Sequence, residues 1–294
     1  MRHIEWSLTG HGGIALHAQG WLPENEPRDV IAISHGYAEH GGRYGNLVDR
    51  LVPLGFAVYA MDHRGHGKSG GPRAFVDRMS HVIEDFHGFV GAVRARHGGR
   101  PIKLVGHSMG GNVAFGYALR WPEDLTGLAL SGPLIGGSVP AAQRLVLSVV
   151  SAIAPRTGMI ELPAEAVSRD PAVVKAYVDD PLVTNAKVSA RTAHEMFTSV
   201  AGYRDKAPTM MVPVLIQHGE ADSLVPLAGM RPVAESIGAA DKTDAIHFVT
   251  LHQHGGRRFQ LAQIGGIPNQ KPGIAMETMQ FVDRRNGTNE FFFI

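Results

Sequence analysis

The run Lys103-Leu104-Val105-Gly106-His107-Ser108-Met109-Gly110-Gly111 sets a serine between glycines, where an apolar stretch gives way to helical periodicity. A serine hydroxyl is a poor nucleophile. An enzyme that uses one must lift it clear of the backbone, set a base beside it and supply donors for the oxyanion. Gly106 and Gly110 leave room for a strained strand-to-helix turn with Ser108 at its tip. That turn puts the Met109 amide at a helix N-terminus, where it can point at developing negative charge. One donor cannot hold the charge alone. The loop Ser34-His35-Gly36-Tyr37-Ala38-Glu39-His40-Gly41-Gly42-Arg43-Tyr44 turns at His35-Gly36 directly after an apolar strand, and the Tyr37 amide is the candidate for the second. Losing one such donor typically costs roughly a hundred- to a thousandfold in rate.

These groups need a sheet whose strand ends lie side by side. Pro101 to Val105 reads as a buried strand, and Val113, Ala114, Tyr117 and Ala118 give the stretch from Asn112 to Leu119 a helical face. His3 to Leu8 and Ile14 to Trp21 alternate in polarity around His11-Gly12-Gly13, which predicts an antiparallel hairpin at a sheet edge. From Val30-Ile31-Ala32-Ile33 onward, short apolar strands (Phe56 to Met61, Leu128 to Leu130, Val214 to Ile216) alternate with amphipathic helices. One helix carries Tyr44, Leu47, Val48, Leu51 and Val52 on one face, and another carries Val82, Phe86, Phe89, Val90 and Val93. This is the α/β class, a mostly parallel central sheet with helices on both faces. About eighty residues separate Leu130 from Val214, far more than one crossover helix needs. The expected division is therefore a core from 1–135 and 208–294 with a helical cap inserted at 136–207. The stretch from Arg144 to Ala154 is apolar round most of a helix, and reads either as a helix buried against the core or as a lid lining an acyl pocket or touching membrane.

Composition narrows the partners. Among 294 residues, 28 basic against 27 acidic side chains leave a formal charge of +1, with no basic excess to attract nucleic acid. A small, largely uncharged substrate fits better. The absence of cysteine excludes disulfides, thiolate zinc sites and a cysteine nucleophile. The 16 histidines are scattered, without a helical His-x-x-x-His backed by carboxylates, so no metal site is expected. No cofactor is implied. The stretch from Met1 to Trp6 lacks the apolar core of a signal peptide and no segment is long enough to span a bilayer, so a cytoplasmic protein is expected. Asp62-His63-Arg64-Gly65-His66-Gly67-Lys68-Ser69-Gly70-Gly71 has glycine spacing that fits neither a P-loop nor a dinucleotide fingerprint.

Taken together, His-Gly-x-x-Glu-His at 35–40, the Asp62 to Gly71 run, Gly106-His107-Ser108-Met109-Gly110-Gly111, Ser168-Arg169-Asp170-Pro171 and the stretch from Ala176 to Val183 closely resemble the monoacylglycerol lipases of the α/β-hydrolase fold, particularly the bacterial ones. The likeness runs from about residue 5 to residue 240. It implies hydrolysis of a monoacylglycerol to fatty acid and glycerol through an acyl-enzyme. It also implies that Glu39, Arg43, His107 and Tyr177 help to form the pocket for the glycerol headgroup. From the residues alone, Glu39 and Arg43 could equally be an ion pair bracing the loop. In the family a His-Gly-x-x-Asp turn carries the triad acid, here Asp222 in His218-Gly219-Glu220-Ala221-Asp222, with Glu220 the competing carboxylate.

The triad histidine is where this chain departs from the resemblance. The family's aromatic-Pro-Gly turn and His-Glu pair are missing, and the chain beyond Gly255 differs from the family's closing helix. A strand from Ile246 to Leu251 is expected, with His252 directly after it as the candidate base, His254 as the alternative and His247, inside the strand, a third choice. Other esterases of the same fold, a lysophospholipase or a general carboxylesterase, remain in view. So does a catalytically impaired protein that holds lipid under the cap without turning it over. Haloalkane dehalogenases and epoxide hydrolases use an aspartate nucleophile, which Ser108 argues against.

Overall fold

A computed structural model describes residues 1–137, 139–168, 170–219 and 222–238 in full, and strand backbones at 246–254, 258–263, 282–283 and 288–289. The chain opens with β1 (Arg2–Thr9) and β2 (Ala15–Leu22), paired antiparallel in the expected hairpin. Then come β3 (Asp29–Ser34), α1 (Gly45–Leu51), β4 (Phe56–Met61), α2 (Met79–Ala95), β5 (Ile102–His107), α3 (Met109–Ala118) and β6 (Leu125–Ser131). The segment after β6 holds α4 (Ala141–Ile153), β7 (Gly158–Ile160), α5 (Pro171–Val178), β8 (Val188–Ser189), α6 (Ala190–Val200) and α7 (Tyr203–Lys206). The chain returns to the sheet with β9 (Val214–Gly219), α8 (Leu227–Ala234), β10 (Ile246–His254) and β11 (Arg258–Gln263).

Among the described residues the main sheet has nine strands in the order β1-β2-β4-β3-β5-β6-β9-β10-β11. Its six central strands are parallel, and antiparallel pairs lie at both ends. Successive side chains of a strand point to opposite faces, and here both faces are covered. Val30 and Ala32 of β3 join a core with α2 and α3, while Ile31 and Ile33 join a second core with Val48 and Leu51 of α1. Full burial of each such aliphatic side chain stabilises by about 1.5–3 kcal/mol, so the continuous apolar runs of β3 and β4 fix these strands in the middle of the sheet.

The segment between β6 and β9 is not uniform. β7 and β8 pair with each other rather than with the main sheet. In α4, Leu147 and Ser151 are buried while Leu145, Val146, Val149 and Ile153 face outward, so it is not the helix buried all round that its apolar sequence allows. By contrast α6 buries Ala190, Ala193, Met196 and Val200 in the core. Its side chains also cap the approach to α2: Val76 N–H donates to Thr192 Oγ1 at 2.9 Å and Met79 N–H to Glu195 Oε2 at 3.1 Å. No helix among the described residues is long and apolar enough to cross a membrane.

The end of β10 corrects one expectation. The strand does not stop at Leu251. It pairs with β9 as far as Leu251 opposite Gly219, then continues against β11 with His252 opposite Gln260 and His254 opposite Arg258. His252 and His254 are therefore strand residues, and not the first residues of a loop.

Candidate active site

Ser108 stands between β5 and α3 with φ 51° and ψ −117°, a left-handed conformation that a serine adopts only when its surroundings impose it. The surroundings do so through close packing. A Cβ on Gly106 would lie 2.7 Å from Gly110 O and 2.8 Å from the Ala114 methyl, and one on Gly110 would overlap Ser34 O and His35 O. Ser108 N–H donates to Ser131 O at 3.1 Å, and Ser108 O accepts from Gly111 N (2.9 Å), Leu134 N (3.0 Å) and Asn112 N (3.3 Å). Met109 N is left at the first turn of α3, where amides have no intrahelical partner. Such a turn can present a hydroxyl and an oxyanion donor on the same side.

The loop after β3 closes on this turn. A Cβ on Gly36 would meet Ser108 Cβ at 3.5 Å, His107 Cδ2 at 3.1 Å and Glu39 Oε1 at 2.9 Å, so only glycine lets the loop come this near. The Tyr37 phenol donates to Ala74 O at 2.9 Å, and burial pushes its pKa up. Ala38 has φ 67°, and its carbonyl accepts from Thr184 N at 2.9 Å. A non-glycine residue held there is strained by roughly 1–2 kcal/mol, so Ala38→Gly should raise unfolding stability by about 1 kcal/mol in urea titrations. A loss of stability would mean that the Ala38 methyl contributes more packing than its backbone costs.

Glu39 is buried, and its contacts are those of a brace. Oε1 accepts from Gly36 N at 2.6 Å and from the Tyr44 hydroxyl at 2.8 Å, while Oε2 lies 3.5 Å from Arg43 Nε. Arg43 then reaches the inserted segment, standing 5.0 Å over the Tyr177 ring and 3.6 Å from Asp180 Oδ2. The same oxygen of Asp180 meets His40 Nε2 at 2.9 Å. Burial opposes ionisation of Asp180, but the His40 hydrogen bond, Leu182 N–H and Arg43 outweigh it and hold the pKa below the usual carboxylate range. Burial and the Glu39 carboxylate push the Tyr177 phenol up. Nothing local in the sequence marks Asp180 and His40 as partners, since 140 residues separate them.

On the other side of Ser108, His107 Nδ1 lies 3.0 Å from Ser131 O. Asp222 sits beyond Gly132: a Cβ on Gly132 would be 3.3 Å from Asp222 Oδ2 and 4.0 Å from His107 Cε1. Asp222 Oδ1 is occupied by Leu224 N (2.9 Å) and Val225 N (2.8 Å), while Oδ2 lies toward Gly132. Glu220 lies outside the described residues. So do the side chains of His247, His252 and His254, of which the structure gives the strand backbone alone. In the sheet order β10 is three places from β5.

The Asp62 to Gly71 run braces the β3 loop from behind. Asp62 Oδ1 accepts from Gly41 N and Oδ2 from Lys68 N, both at 2.8 Å. Arg64 is buried against Asp85 at 2.7 Å. Among the described residues no cluster of three histidine or carboxylate side chains is arranged to hold a metal ion.

A family model described as "Serine aminopeptidase, S33" matches residues 25–253. The monoacylglycerol lipase of Mycolicibacterium smegmatis is 38% identical over 239 residues, covering 81% of this chain and 85% of that protein. Among solved structures, the monoacylglycerol lipase of Paleococcus ferrophilus superposes with a TM-score of 0.67 at 28% identity, over 85% of this chain and 89% of that one. A soluble variant of monoglyceride lipase from Saccharomyces cerevisiae, solved with a substrate analogue, gives a TM-score of 0.72 at 22% identity, over 83% and 84% of the two chains.

Proposed function

This chain belongs to the monoacylglycerol lipase-like serine hydrolases of the α/β-hydrolase fold, and within that family we propose that it cleaves monoacylglycerols to fatty acid and glycerol without a cofactor. In this reading Ser108 attacks the ester carbonyl, a histidine of β10 takes its proton, and Asp222 Oδ2 orients that imidazole. His252 is the first candidate for the base and His254 the alternative. The amides of Tyr37 and Met109 hold the oxyanion, and water then deacylates the enzyme. Glu39, Arg43, His107 and Tyr177 form the polar wall that reads the glycerol hydroxyls.

One observation carries the choice of substrate: the charged and aromatic set Glu39, Arg43 and Tyr177 is gathered from the β3 loop and the inserted segment, with Glu39 and Ser108 both packed against Gly36. An aminopeptidase would need a carboxylate for the substrate ammonium. Glu39 has both oxygens engaged by Gly36, Tyr44 and Arg43, which favours an uncharged ester. The inserted segment at 136–207 acts as the cap in this proposal. The outward Leu145, Val146, Val149 and Ile153 of α4 make brief contact with the membrane surface that supplies acyl substrate to a cytoplasmic enzyme.

A headgroup panel tests the assignment. Monoacylglycerols should be turned over faster than lysophospholipids of the same chain. Tyr177→Phe should lower the ratio of monoacylglycerol to p-nitrophenyl butyrate turnover about tenfold, the effect of one hydrogen bond to substrate at roughly 1.4 kcal/mol. An unchanged ratio would remove Tyr177 from the headgroup pocket and favour a general carboxylesterase.

A further inference from the structure

Behind the β3 loop lie three imidazoles that the proposed reaction does not use. His35, His63 and His66 are all buried, with ring centroids 4.3 Å apart for His35 and His63 and 5.5 Å for His35 and His66. Their hydrogen bonds run in a defined direction. His63 N–H donates to His35 Nε2 at 2.8 Å, so that nitrogen carries a lone pair and the ring proton sits on Nδ1. His35 Nδ1 in turn lies 2.8 Å from Gly36 O, and must donate to it. Ser34 Oγ meets His63 Nε2 at 3.0 Å, and the Tyr37 ring stands edge-on to His66 at 5.5 Å. Burial lowers the pKa of all three rings, that of His66 to about 3, which keeps this neutral pattern in place near pH 7.

Gly36 C=O and Tyr37 N–H belong to one peptide unit. That unit is planar and trans, so its oxygen and its amide hydrogen point in opposite directions. A donor pinning the oxygen from behind therefore aims the amide outward. We infer that His35 is a positioning residue: its Nδ1 proton, placed there by the His63 backbone amide, anchors the Gly36 carbonyl and so sets the direction of the Tyr37 amide. The inference rests on reading the Tyr37 and Met109 amides as the oxyanion donors. The two amides differ in how they are held. The carbonyl in the Met109 peptide unit, Ser108 O, has three backbone donors behind it, whereas Gly36 O relies on a single side chain. At the end of β9, His218 Nδ1 lies 3.0 Å from Gly219 O at the start of the Asp222 turn.

Three variants test this. Asparagine carries an amide nitrogen near the position of Nδ1 and can still reach Gly36 O. Glutamine keeps an acceptor for His63 N–H but moves the donor, and leucine keeps neither. With p-nitrophenyl butyrate, His35→Leu and His35→Gln should lose roughly 10- to 100-fold in kcat, part of the full cost of an oxyanion donor, with KM within about threefold. His35→Asn should recover most of that loss, and affinity for a trifluoromethyl ketone should fall in step with kcat. A role in stability alone predicts lower melting temperatures with kcat of the folded fraction intact, and that result overturns the proposal. So does His35→Asn as slow as His35→Leu, or a loss confined to KM. If His35→Leu does not fold, the comparison of Gln with Asn decides. If none folds, nitrogen-detected spectra of the wild-type ring must show the proton on Nδ1, and a proton on Nε2 refutes it. Wild-type protein that fluorophosphonate does not label at Ser108 would instead overturn the oxyanion reading beneath it.

Discussion

Ser108→Ala should lower kcat for ester hydrolysis by roughly 10⁴- to 10⁶-fold and abolish labelling by a fluorophosphonate. The size of the effect follows from the turn. Every interaction that shapes it involves backbone or glycine: Ser108 N and O are bonded to Ser131, Gly111, Leu134 and Asn112, and Gly110 packs on Ser34 and His35. Alanine accepts the same φ of 51° at about the strain that serine does, so the variant should stay within about 1 kcal/mol of wild-type stability. What it removes is the one atom that can attack. Retained labelling would discard Ser108 as nucleophile. The companion series His252→Ala, His254→Ala and His247→Ala identifies the base, since removing a true triad partner costs nearly as much as removing the serine. If none of the three approaches the Ser108→Ala loss, the base is another group; wild-type protein that neither hydrolyses esters nor is labelled at Ser108 is the impaired lipid-binding relative.

Mild acid should destabilise the fold steeply. His63 and His66 are fully buried, and burial, reinforced by neighbouring imidazoles, holds both well below the ordinary histidine range, His66 at about 3. In the unfolded chain both titrate near 6.5. Below that value the unfolded state binds protons that the folded state refuses, so the stability these groups contribute is present above about pH 6.5 and falls as pH falls. A histidine held this low contributes a slope of about 1.4 kcal/mol per pH unit, so His66 gives roughly 1.4 kcal/mol between pH 5.5 and 4.5, and His63 adds to it in the same direction. His35, also lowered by burial, adds to the slope. The carboxylate of Asp62 is held low despite its burial, by the His17 ring and the Lys68 and Gly41 amides, so its contribution is lost only under stronger acid. Urea denaturation across this range measures the slope directly. A level unfolding free energy would mean that the imidazoles are charged within the fold.

The parts readable in sequence are those governed by local rules. The runs at Val30 and Phe56 are apolar without alternation because both sides of those strands are buried, and α2 and α3 follow from spacing of their large side chains. The sharp turn at Ser108 is legible because only small flanking residues permit it. Contacts that close over long separations are not. Neither Asp180 with His40 and Arg43 nor Thr192 and Glu195 with the approach to α2 leaves a local trace. The strand at Ile246 reads as ending at Leu251 because His252-Gln253-His254 is polar. Yet ladder hydrogen bonds come from the backbone, and β11 supplies a partner regardless of side-chain polarity. The outward side of α4 is hidden for the opposite reason: an apolar helix looks buried in sequence even when solvent meets half of it.

The pairing of Gly158 with Ser189 and of Ile160 with Val188 brings the two ends of the intervening stretch together at one point. Since closing a loop grows costly only with the logarithm of its length, residues can be added between those ends with little effect on the sheet, provided Asp180 and Thr184 keep their bonds to His40, Arg43 and Ala38. Changes in the rest of this stretch would therefore leave the sheet and the turn that carries Ser108 unchanged.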